Sequence, residues 1–563
     1  MSRRIGAVKS RLGCKTCKIR RVKCGEEKPS CLRCSSTGRK CEYEDREASP
    51  WITSAPRHAL SLSQNAARRE CRAFEYYFQH VSQHLAGGSD VDFWTGVVPQ
   101  ICRSEPVVWD AVITISALYE NPRQCVDFHF LRGRRNEAYL LNHAQQEALI
   151  WYSRSISGVS SQIQRGNTDP YIALISCALF ICVETIQGRM EKALELYRQG
   201  IILMLDLHAQ IAHGGVSTSK AVLLKRSIAP LFLRLGTSSL TISGAQFSME
   251  PFAFVETNMS AGFASVDSAR TTISALAAEA ILFEREANLH LKEVGADSAV
   301  SPEMAAKKEA LQARLAEWHR EYTNICQSNS SAPAVPMYPE PILLTYHAAA
   351  LILVTGCLRQ QETVFDFHFE DFVTIVEQSR LILNASAGPN GTQPPFTFEM
   401  SVGVPLAMTV MRCRDPNIRR RALDLLRLSP PIQGFFKCAP VALLSEVLMK
   451  LEEGYSLALR QENTVAPSHK ITDNNVLIGL PVAITTDETN RSQAALIPEE
   501  ARIHDYGIFR LNEWQPSWIT EEDLAPFPHG SNQLYLGFSR NQYDKESSTW
   551  RPISQCIPLE ASF

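Results

Sequence analysis

Apolar residues recur at helical spacing along most of the chain. The first such series is Phe74, Tyr77, Phe78, Val81 and Leu85, whose separations of three and four residues place these side chains on one face of a helix. Similar series predict further helices over residues 107–119, 137–156, 170–186, 190–205, 221–235, 272–294, 302–325, 342–358, 372–383, 416–428 and 441–458. Because strand patterns are few, we expect an all-α helical domain over residues 68–460.

The clearest helix start in this domain is at Asp415. An aspartate acceptor followed by a proline at the first helical position, here Pro416, is typical of a capped helix. The longest apolar stretch, residues 342–358, contains His347 and two threonines and is shorter than the roughly 20 residues that cross a bilayer. We therefore expect a buried helix there and no membrane span.

The segments on either side of this domain have a different composition. Residues 42–67 contain Pro50, Pro56 and many small polar residues, which is typical of a linker, and they lack the apolar heptads of a coiled coil. A homodimer would therefore form through the helical domain. Residues 461–563 are predicted to be an irregular C-terminal arm. Within it, residues 505–527 alternate aromatic and acidic side chains, which indicates either an acidic activation segment or an arm docked on the helical body.

Charge divides the chain into a basic head and an acidic body. The net charge of −2 conceals 14 Lys/Arg and 5 Asp/Glu in residues 1–46, against 43 and 54 in the remainder. A small, strongly basic head is the electrostatic signature of a protein that binds the phosphate backbone of nucleic acid. The first part of the head, residues 1–13, is a basic arm without an apolar stretch, so it is predicted to be neither a signal peptide nor a membrane anchor.

Six cysteines dominate the rest of the head. They follow the pattern Cys-x2-Cys-x6-Cys-x6-Cys-x2-Cys-x6-Cys and are Cys14, Cys17, Cys24, Cys31, Cys34 and Cys41. Pairs at x2 spacing place two thiolates within reach of one cation, and zinc prefers four such ligands in a tetrahedron. One zinc ion would leave two cysteines over, whereas two zinc ions need eight bonds from six sulfurs. Two cysteines, one from each half, would then bridge both ions.

Residues 14–41 are too short to bury a sufficient apolar core. Their apolar side chains, such as Ile19, Val22 and Leu32, are scattered, so metal binding is expected to supply most of the folding free energy. The alternative is a disulfide framework, which requires an oxidising compartment. Since no secretion signal is found, we favour zinc.

This spacing, with a basic run between Cys17 and Cys24 and with Pro29 between the halves, resembles the fungal binuclear zinc-cluster transcription factors. The resemblance implies that Cys14 and Cys31 bridge two zinc ions. It also implies that the first short helix enters the major groove of double-stranded DNA. The residues assigned to DNA binding are Lys18, Arg20, Arg21 and Lys23, with Lys15, Arg11 and Lys9 as further candidates. We expect Lys18, Arg20, Arg21 and Lys23 to lie together on this metal-fixed helix.

The resemblance also points to a base-reading residue. In the family the residue three before the third cysteine, usually a lysine, reads a CGG triplet, and that position holds Arg21. Arginine can pair bidentately with guanine, so a G-rich half-site is still expected. Lys9 and Arg11 have no inferable base-facing register and are interpreted as phosphate contacts or as solvated charge.

The body is similar to the middle homology domain of the same family, an all-helical regulatory region. The matching stretches are residues 93–94, 105–107, 178–184, 187–188, 413–416 and 420–423, together with the single residues Ala193, Tyr197 and Gly200. Together with the zinc cluster, they imply a regulator of RNA polymerase II genes that works in the nucleus with the transcription machinery. Such proteins often control metabolic or biosynthetic gene sets.

A zinc-stapled nuclear scaffold and an enzyme are the alternatives to a DNA-binding protein. A zinc-stapled nuclear scaffold would need its basic residues only as an import signal, whereas a DNA reader needs them in a fixed register. An enzyme is not expected, because the sequence contains no G-x-S-x-G, H-E-x-x-H, G-x-x-x-x-G-K-[ST] or G-x-G-x-x-G motif. A cluster whose ligands are all thiolates also leaves no open position for a catalytic water.

Overall fold

The protein is described by a computed structural model in two compact units, Met1–Ala67 and Arg68–Phe563. The structure describes residues 14–20, 22–27, 30–41, 64–87, 90–122, 141–166, 169–213, 217–241, 259, 262–294, 300–329, 340–464, 497–511, 515–516, 518–520, 524, 533–546 and 549–559. The first unit holds the six cysteines, and the second holds the long series of helices.

Helices form most of the described chain. The cysteine-containing unit has two short ones, α1 (Lys15–Ile19) and α2 (Leu32–Ser35). The helices that follow are α3 (Gln64–Tyr76), α4 (Ser82–Ala86), α5 (Val98–Ile101), α6 (Pro106–Glu120), α7 (His143–Gln164), α8 (Pro170–Ile186), α9 (Met190–Ala212), α10 (Thr218–Leu223), α11 (Ala229–Leu240), α12 (Val266–Val294), α13 (Pro302–Asn329), α14 (Pro341–Gly356), α15 (Phe369–Ser386), α16 (Gly403–Arg412), α17 (Pro416–Leu428) and α18 (Cys438–Thr464). Tighter and wider turns extend some of them: π-helical turns cover Tyr77–Val81, Asp92–Val97 and Leu224–Ile228, and 3-10 turns cover Glu362–His368 and Glu499–Ala501.

Strands form two small sheets. In the first, β1 (Phe396–Thr397) runs parallel to β2 (Ile432–Gln433), which pairs antiparallel with β3 (Phe436–Lys437). The second sheet is antiparallel in the order β4 (Ile503–Phe509), β5 (Leu534–Asp544) and β6 (Thr549–Leu559).

Helix α6 lies in the middle of the largest apolar cluster. Its side chains from Val107 to Tyr119 are all buried, and it packs with α7 and α8. A helix without a polar face must be enclosed by its neighbours. The Tyr119 hydroxyl donates a hydrogen bond to the Phe396 carbonyl (3.1 Å), which ties this cluster to the first sheet.

Capping residues define the helices that sequence analysis placed best. The predicted helices 170–186 and 416–428 coincide with α8 and α17. Asp415 Oδ1 accepts hydrogen bonds from the backbone N–H groups of Asn417 (3.0 Å) and Ile418 (2.9 Å), which confirms the predicted cap. Asp169 caps α8 in the same way, with its Oδ1 2.9 Å from the Tyr171 nitrogen.

Helix α14 covers the apolar stretch that was expected to be a buried helix. Leu343, Ile352 and Val354 are buried between its neighbours. Among the helices that the structure describes, none combines the length and the apolar composition needed to cross a bilayer.

The C-terminal region contains more regular structure than sequence analysis expected. Strands β4, β5 and β6 pack against α18 through an apolar cluster that includes Leu448, Leu536 and Phe538. On the other side, Phe509, Ile519 and Leu524 are buried together with Tyr535 and Cys556 of the sheet. An activation segment and an arm docked on the helical body both stay predictions for residues 505–527. Trp514 and Phe527, also part of that segment, lie outside the described residues.

Buried ion pairs join this sheet to the helical body. Glu452 on α18 lies between two enclosed guanidinium groups, with Arg414 Nη2 2.6 Å from its Oε1 and Arg419 Nη2 2.6 Å from its Oε2. The Ile503 backbone N–H at the start of β4 donates to the same Oε1 (2.8 Å). Nearby, Arg502 pairs with Asp366 (2.7 Å). The first residues of the sheet are therefore held by charges on several helices.

The Glu452 carboxylate is expected to be essential for the stability of this unit. Glu452→Gln removes the carboxylate paired with Arg419 and one of those paired with Arg414, and breaking a buried ion pair in this way costs about 3 to 5 kcal/mol. Thermal unfolding followed by circular dichroism should show a lower Tm. The neighbouring Glu453→Gln is the matched control, because its pair with Arg420 is exposed and should contribute about 1 kcal/mol or less.

The same group gives stability a pH dependence of known sign. Burial by itself would raise the pKa of Glu452, but Arg414 and Arg419 outweigh it and hold the pKa below the ordinary value. The stabilisation is therefore complete at neutral pH and is lost as the pH falls through the lowered pKa. Equal Tm values for Glu452→Gln and Glu453→Gln at neutral pH would contradict this assignment.

Candidate metal centre and nucleic-acid interface

The six cysteines bring together two equivalent halves of the first unit. In the first half the Cys14 backbone N–H donates to Cys24 Sγ, and in the second the Cys31 N–H donates to Cys41 Sγ, both at 3.3 Å. Helix α1 lies within the first half and α2 within the second. The sequence repeat is thus also a structural repeat.

The sulfur atoms form two overlapping sets of four. Within each set all Sγ atoms lie within 4.8 Å of one another, and the sets are Cys14, Cys17, Cys24 and Cys31, and Cys14, Cys31, Cys34 and Cys41. Cys14 and Cys31 belong to both. This is the arrangement that two four-coordinate ions need when six ligands supply eight bonds. The geometry therefore supports Cys14 and Cys31 as the shared ligands, an assignment that stays a prediction.

The sulfur separations suit zinc. Four ligands about 2.3 Å from a tetrahedral ion lie roughly 3.8 Å from each other. The Sγ of Cys14 lies 3.8 Å from that of Cys31 and 3.7 Å from that of Cys34, and the Sγ of Cys17 lies 3.7 Å from that of Cys31. Cys17 and Cys34, which belong to different sets, are also 3.8 Å apart, so the sulfurs form one compact cluster.

Burial opposes the ionisation of several thiol groups in the cluster. Burial raises the pKa of the Cys34 thiol to about 12, and it also raises the pKa values of Cys14 and Cys17. By contrast, the hydrogen bond from the Cys31 backbone lowers the pKa of the Cys41 thiol. Because zinc binds thiolates, its binding must displace the protons of the buried thiols and is therefore expected to weaken in acid.

The described part of this unit has no apolar core apart from the cysteines. Cys14, Cys17, Cys31 and Cys34 are completely buried, whereas Ile19 and Leu32 are 74% and 66% exposed. Burial of apolar surface therefore cannot hold the fold together. The donor set and the lack of a core agree that metal binding stabilises this unit.

Side-chain hydrogen bonds also connect the halves outside the sulfur cluster. The Thr16 hydroxyl on α1 donates to the Lys40 carbonyl (2.8 Å). Arg20 Nη1 donates to the Thr37 hydroxyl (3.3 Å). These contacts help to fix the orientation of α1, and nothing in the spacing of the sequence indicated them.

The predicted DNA-binding residues do not all lie on the helix. Lys15 and Lys18 lie in α1, with Lys15 exposed, but the side chain of Lys18 is not described. Arg20 is half-buried in the turn that follows, and Lys23 is exposed in a segment without helical structure. Lys9, Arg11 and Arg21 lie outside the described residues.

The expectation that Lys18, Arg20, Arg21 and Lys23 share one helix is therefore wrong. Helix α1 ends at Ile19, and the Val22 backbone N–H donates to the Cys17 carbonyl (3.2 Å), five residues earlier. This wider turn brings the chain back so that Cys24 can join the sulfur cluster. Closure of the metal site thus ends the helix earlier than the basic run suggested.

Comparison with known families identifies this unit. Residues 12–49 match the family described as the fungal Zn(2)-Cys(6) binuclear cluster domain. Residues 12–49 are therefore assigned to this domain family. Such a domain binds two zinc ions, and the six cysteines found here are positioned to hold them.

The relatives of the chain are fungal transcription regulators. One is the aspercryptin biosynthesis cluster-specific transcription regulator atnN of Emericella nidulans, 26% identical over 277 residues, which are 42% of this chain and 40% of the relative. Another is the Zn(2)-C6 fungal-type transcription factor afumD of Aspergillus fumigatus, 32% identical over 126 residues, or 21% of this chain and 34% of the relative. The transcription regulator lscL of Purpureocillium lilacinum is 24% identical over 213 residues, or 34% and 48%.

The extent of these matches limits what they establish. The match to atnN is much longer than the zinc-cluster domain, so it includes part of the helical unit. Each match nevertheless spans less than half of the relative's length. No solved structure matches the chain. The predicted middle homology domain is therefore still a prediction.

The sharing of Cys14 and Cys31 can be tested by counting metal ions. The full chain is expected to hold two zinc ions, and Cys14→Ala or Cys31→Ala should lower the occupancy of both sites because each removes a ligand from both sets. Cys24→Ala or Cys41→Ala removes a ligand directly from one set only. Inductively coupled plasma mass spectrometry gives the zinc content per chain.

The exposed Cys71 outside the cluster supplies the matched control, since Cys71→Ala should retain two zinc ions. One zinc ion per wild-type chain would rule out a binuclear cluster. Equal zinc loss from Cys24→Ala and Cys14→Ala would rule out the assignment of Cys14 as a shared ligand.

Proposed function

We propose that the chain is a zinc-dependent, sequence-specific DNA-binding transcription factor that regulates RNA polymerase II genes in the nucleus. The observation that carries this proposal is a cluster of basic residues on a small domain whose shape is set by a metal-binding sulfur cluster. The relatives, which are transcription regulators, support it. The proposed partners are double-stranded DNA and the transcription machinery.

Charge favours the first half of the cluster domain as the surface that meets DNA. Residues 1–24 contain nine Lys/Arg and no Asp/Glu. Of the described basic residues there, Lys15 and Lys23 are exposed, and Lys15 lies on α1. Lysine and arginine side chains that neutralise phosphates release counterions and supply affinity without sequence preference. Sequence preference would come from the helix that enters the major groove.

The proposed target is a short G-rich half-site that resembles CGG. Arg21 is assigned to guanine because it occupies the position three residues before Cys24, and a guanidinium group can donate two hydrogen bonds to O6 and N7 of guanine. Lys18, Arg20 and Lys23 are proposed as neighbouring contacts. For Arg20 the hydrogen bond to Thr37 supports a positioning role beside any contact with phosphate.

The regulated genes are proposed to form a biosynthetic set. The name of the Emericella nidulans relative describes a regulator specific to one biosynthesis cluster, and its match extends into the helical unit of this chain. Mapping of chromosomal occupancy in the source organism tests the proposal, with peaks expected at promoters of a few linked genes. A homodimer, if formed, is proposed to use the helical unit.

Base reading and phosphate binding can be separated by two substitutions. Arg21→Ala should cost about 1 to 3 kcal/mol on the preferred duplex and much less on scrambled DNA, because it removes hydrogen bonds to a base. Lys9→Ala should weaken binding to both duplexes alike and lower the salt dependence by about one ion. Fluorescence anisotropy titrations of the full chain at several salt concentrations measure both effects.

Zinc content of each variant provides the control for folding. If Arg21→Ala weakened binding to both duplexes equally, Arg21 would be a phosphate contact. If the wild-type chain showed no preference for any duplex, sequence-specific recognition itself would be disproved, and a nuclear scaffold would account better for the basic head.

A further inference from the structure

The exposed face of α1 has an unusual composition. Two of its side chains are engaged within the domain: Cys17 is completely buried in the sulfur cluster, and the Thr16 hydroxyl bonds to the Lys40 carbonyl. Lys15 and Ile19, four residues apart and hence on the same face of the helix, remain exposed. A large aliphatic side chain therefore lies beside a cation on the outer surface of α1.

Ile19 is not part of a core. It is 74% exposed, and the buried cluster of this domain consists of cysteines. Folding of the domain gains little from Ile19, because the side chain leaves little of its surface buried. Its exposure on the most basic part of the chain leaves it accessible to a bound partner.

We propose that Ile19 contacts the 5-methyl group of a thymine next to the G-rich half-site and thereby contributes to sequence specificity. This inference rests on the proposed function. The thymine methyl is the apolar group that base pairs display in the major groove, where an aliphatic side chain can pack against it. Domains of this class place a helix in that groove.

Charge complementarity selects DNA as the occupant of this face. Lys15 shares the face with Ile19, and Lys23 is exposed a few residues later. A protein surface that covered Ile19 would also have to neutralise these cations, whereas DNA offers phosphates on both sides of the groove. Leu32 on α2 is similarly exposed, at 66%, but lies in the second half, which is less basic.

The test removes one methyl group at a time. In vitro selection with the full chain first identifies the preferred duplex, and each thymine in it is then replaced singly by deoxyuridine, which lacks only the 5-methyl group. At one thymine beside the G-rich triplet, the replacement should weaken wild-type binding about fourfold, the effect of one buried methylene-sized group. Ile19→Ala should bind the two duplexes equally.

Leu32→Ala is the matched control, and it should discriminate between thymine and deoxyuridine as the wild type does. Zinc content verifies that both variants are folded, and Ile19→Gln provides a second variant that should also lose the discrimination.

If no thymine shows a methyl effect, or if Ile19→Ala keeps it, the inference is wrong while the proposed function stands. If selection enriches no sequence, both are wrong. If Ile19→Ala instead changes the sedimentation of the DNA-free chain, a second copy covers Ile19 and the inference is also wrong.

Discussion

Sharing of Cys14 and Cys31 between two sets of sulfurs is the constraint on which the N-terminal domain depends. Because the buried cluster in the described part of the domain consists of cysteines, the bonds that its sulfurs can make to metal must replace the apolar core of an ordinary domain. The shared sulfurs also make the two halves interdependent. Neither half has four ligands of its own, so an ion bound by one half requires the other half to be correctly folded.

The helical unit is stabilised by a different balance of forces. Large apolar clusters enclose helices such as α6 and α14, and the C-terminal sheet adds its own cluster against α18. At that junction the body also encloses charges, with Glu452 between Arg414 and Arg419 and with Arg502 bonded to Asp366. Buried ion pairs of this kind contribute little net stability when intact but are costly to break. The main contribution of these ion pairs is therefore to favour one position of strand β4 on the helical body, rather than to increase the free energy of unfolding.

The features that could be predicted from sequence are those whose physical cause is local. Cysteine pairs at x2 spacing and the Asp415-Pro416 cap each depend on a few consecutive residues, and the structure has both. The C-terminal sheet depends on distant partners instead. Strand β5 is buried continuously from Leu534 to Asn541, so it shows no alternation of apolar and polar residues. Strand β6 contains Pro552 and Pro558, which argue against a strand but are tolerated at the edge of a sheet.

The end of α1 shows how a metal site can override local preference. A basic run without proline or glycine gave no reason to end the helix before Cys24, yet α1 stops at Ile19 because the chain must return to the sulfur cluster. The turn separates Lys15, Lys18 and Ile19 on the helix from Lys23 beyond it. Hydrogen bonds from Thr16 and Arg20 to the second half then limit rotation of α1 about the cluster. A fixed orientation matters because phosphate attraction tolerates many orientations, whereas contacts to base edges tolerate few. The same sulfur cluster that replaces a core therefore also sets the orientation of the exposed side chains of this short helix.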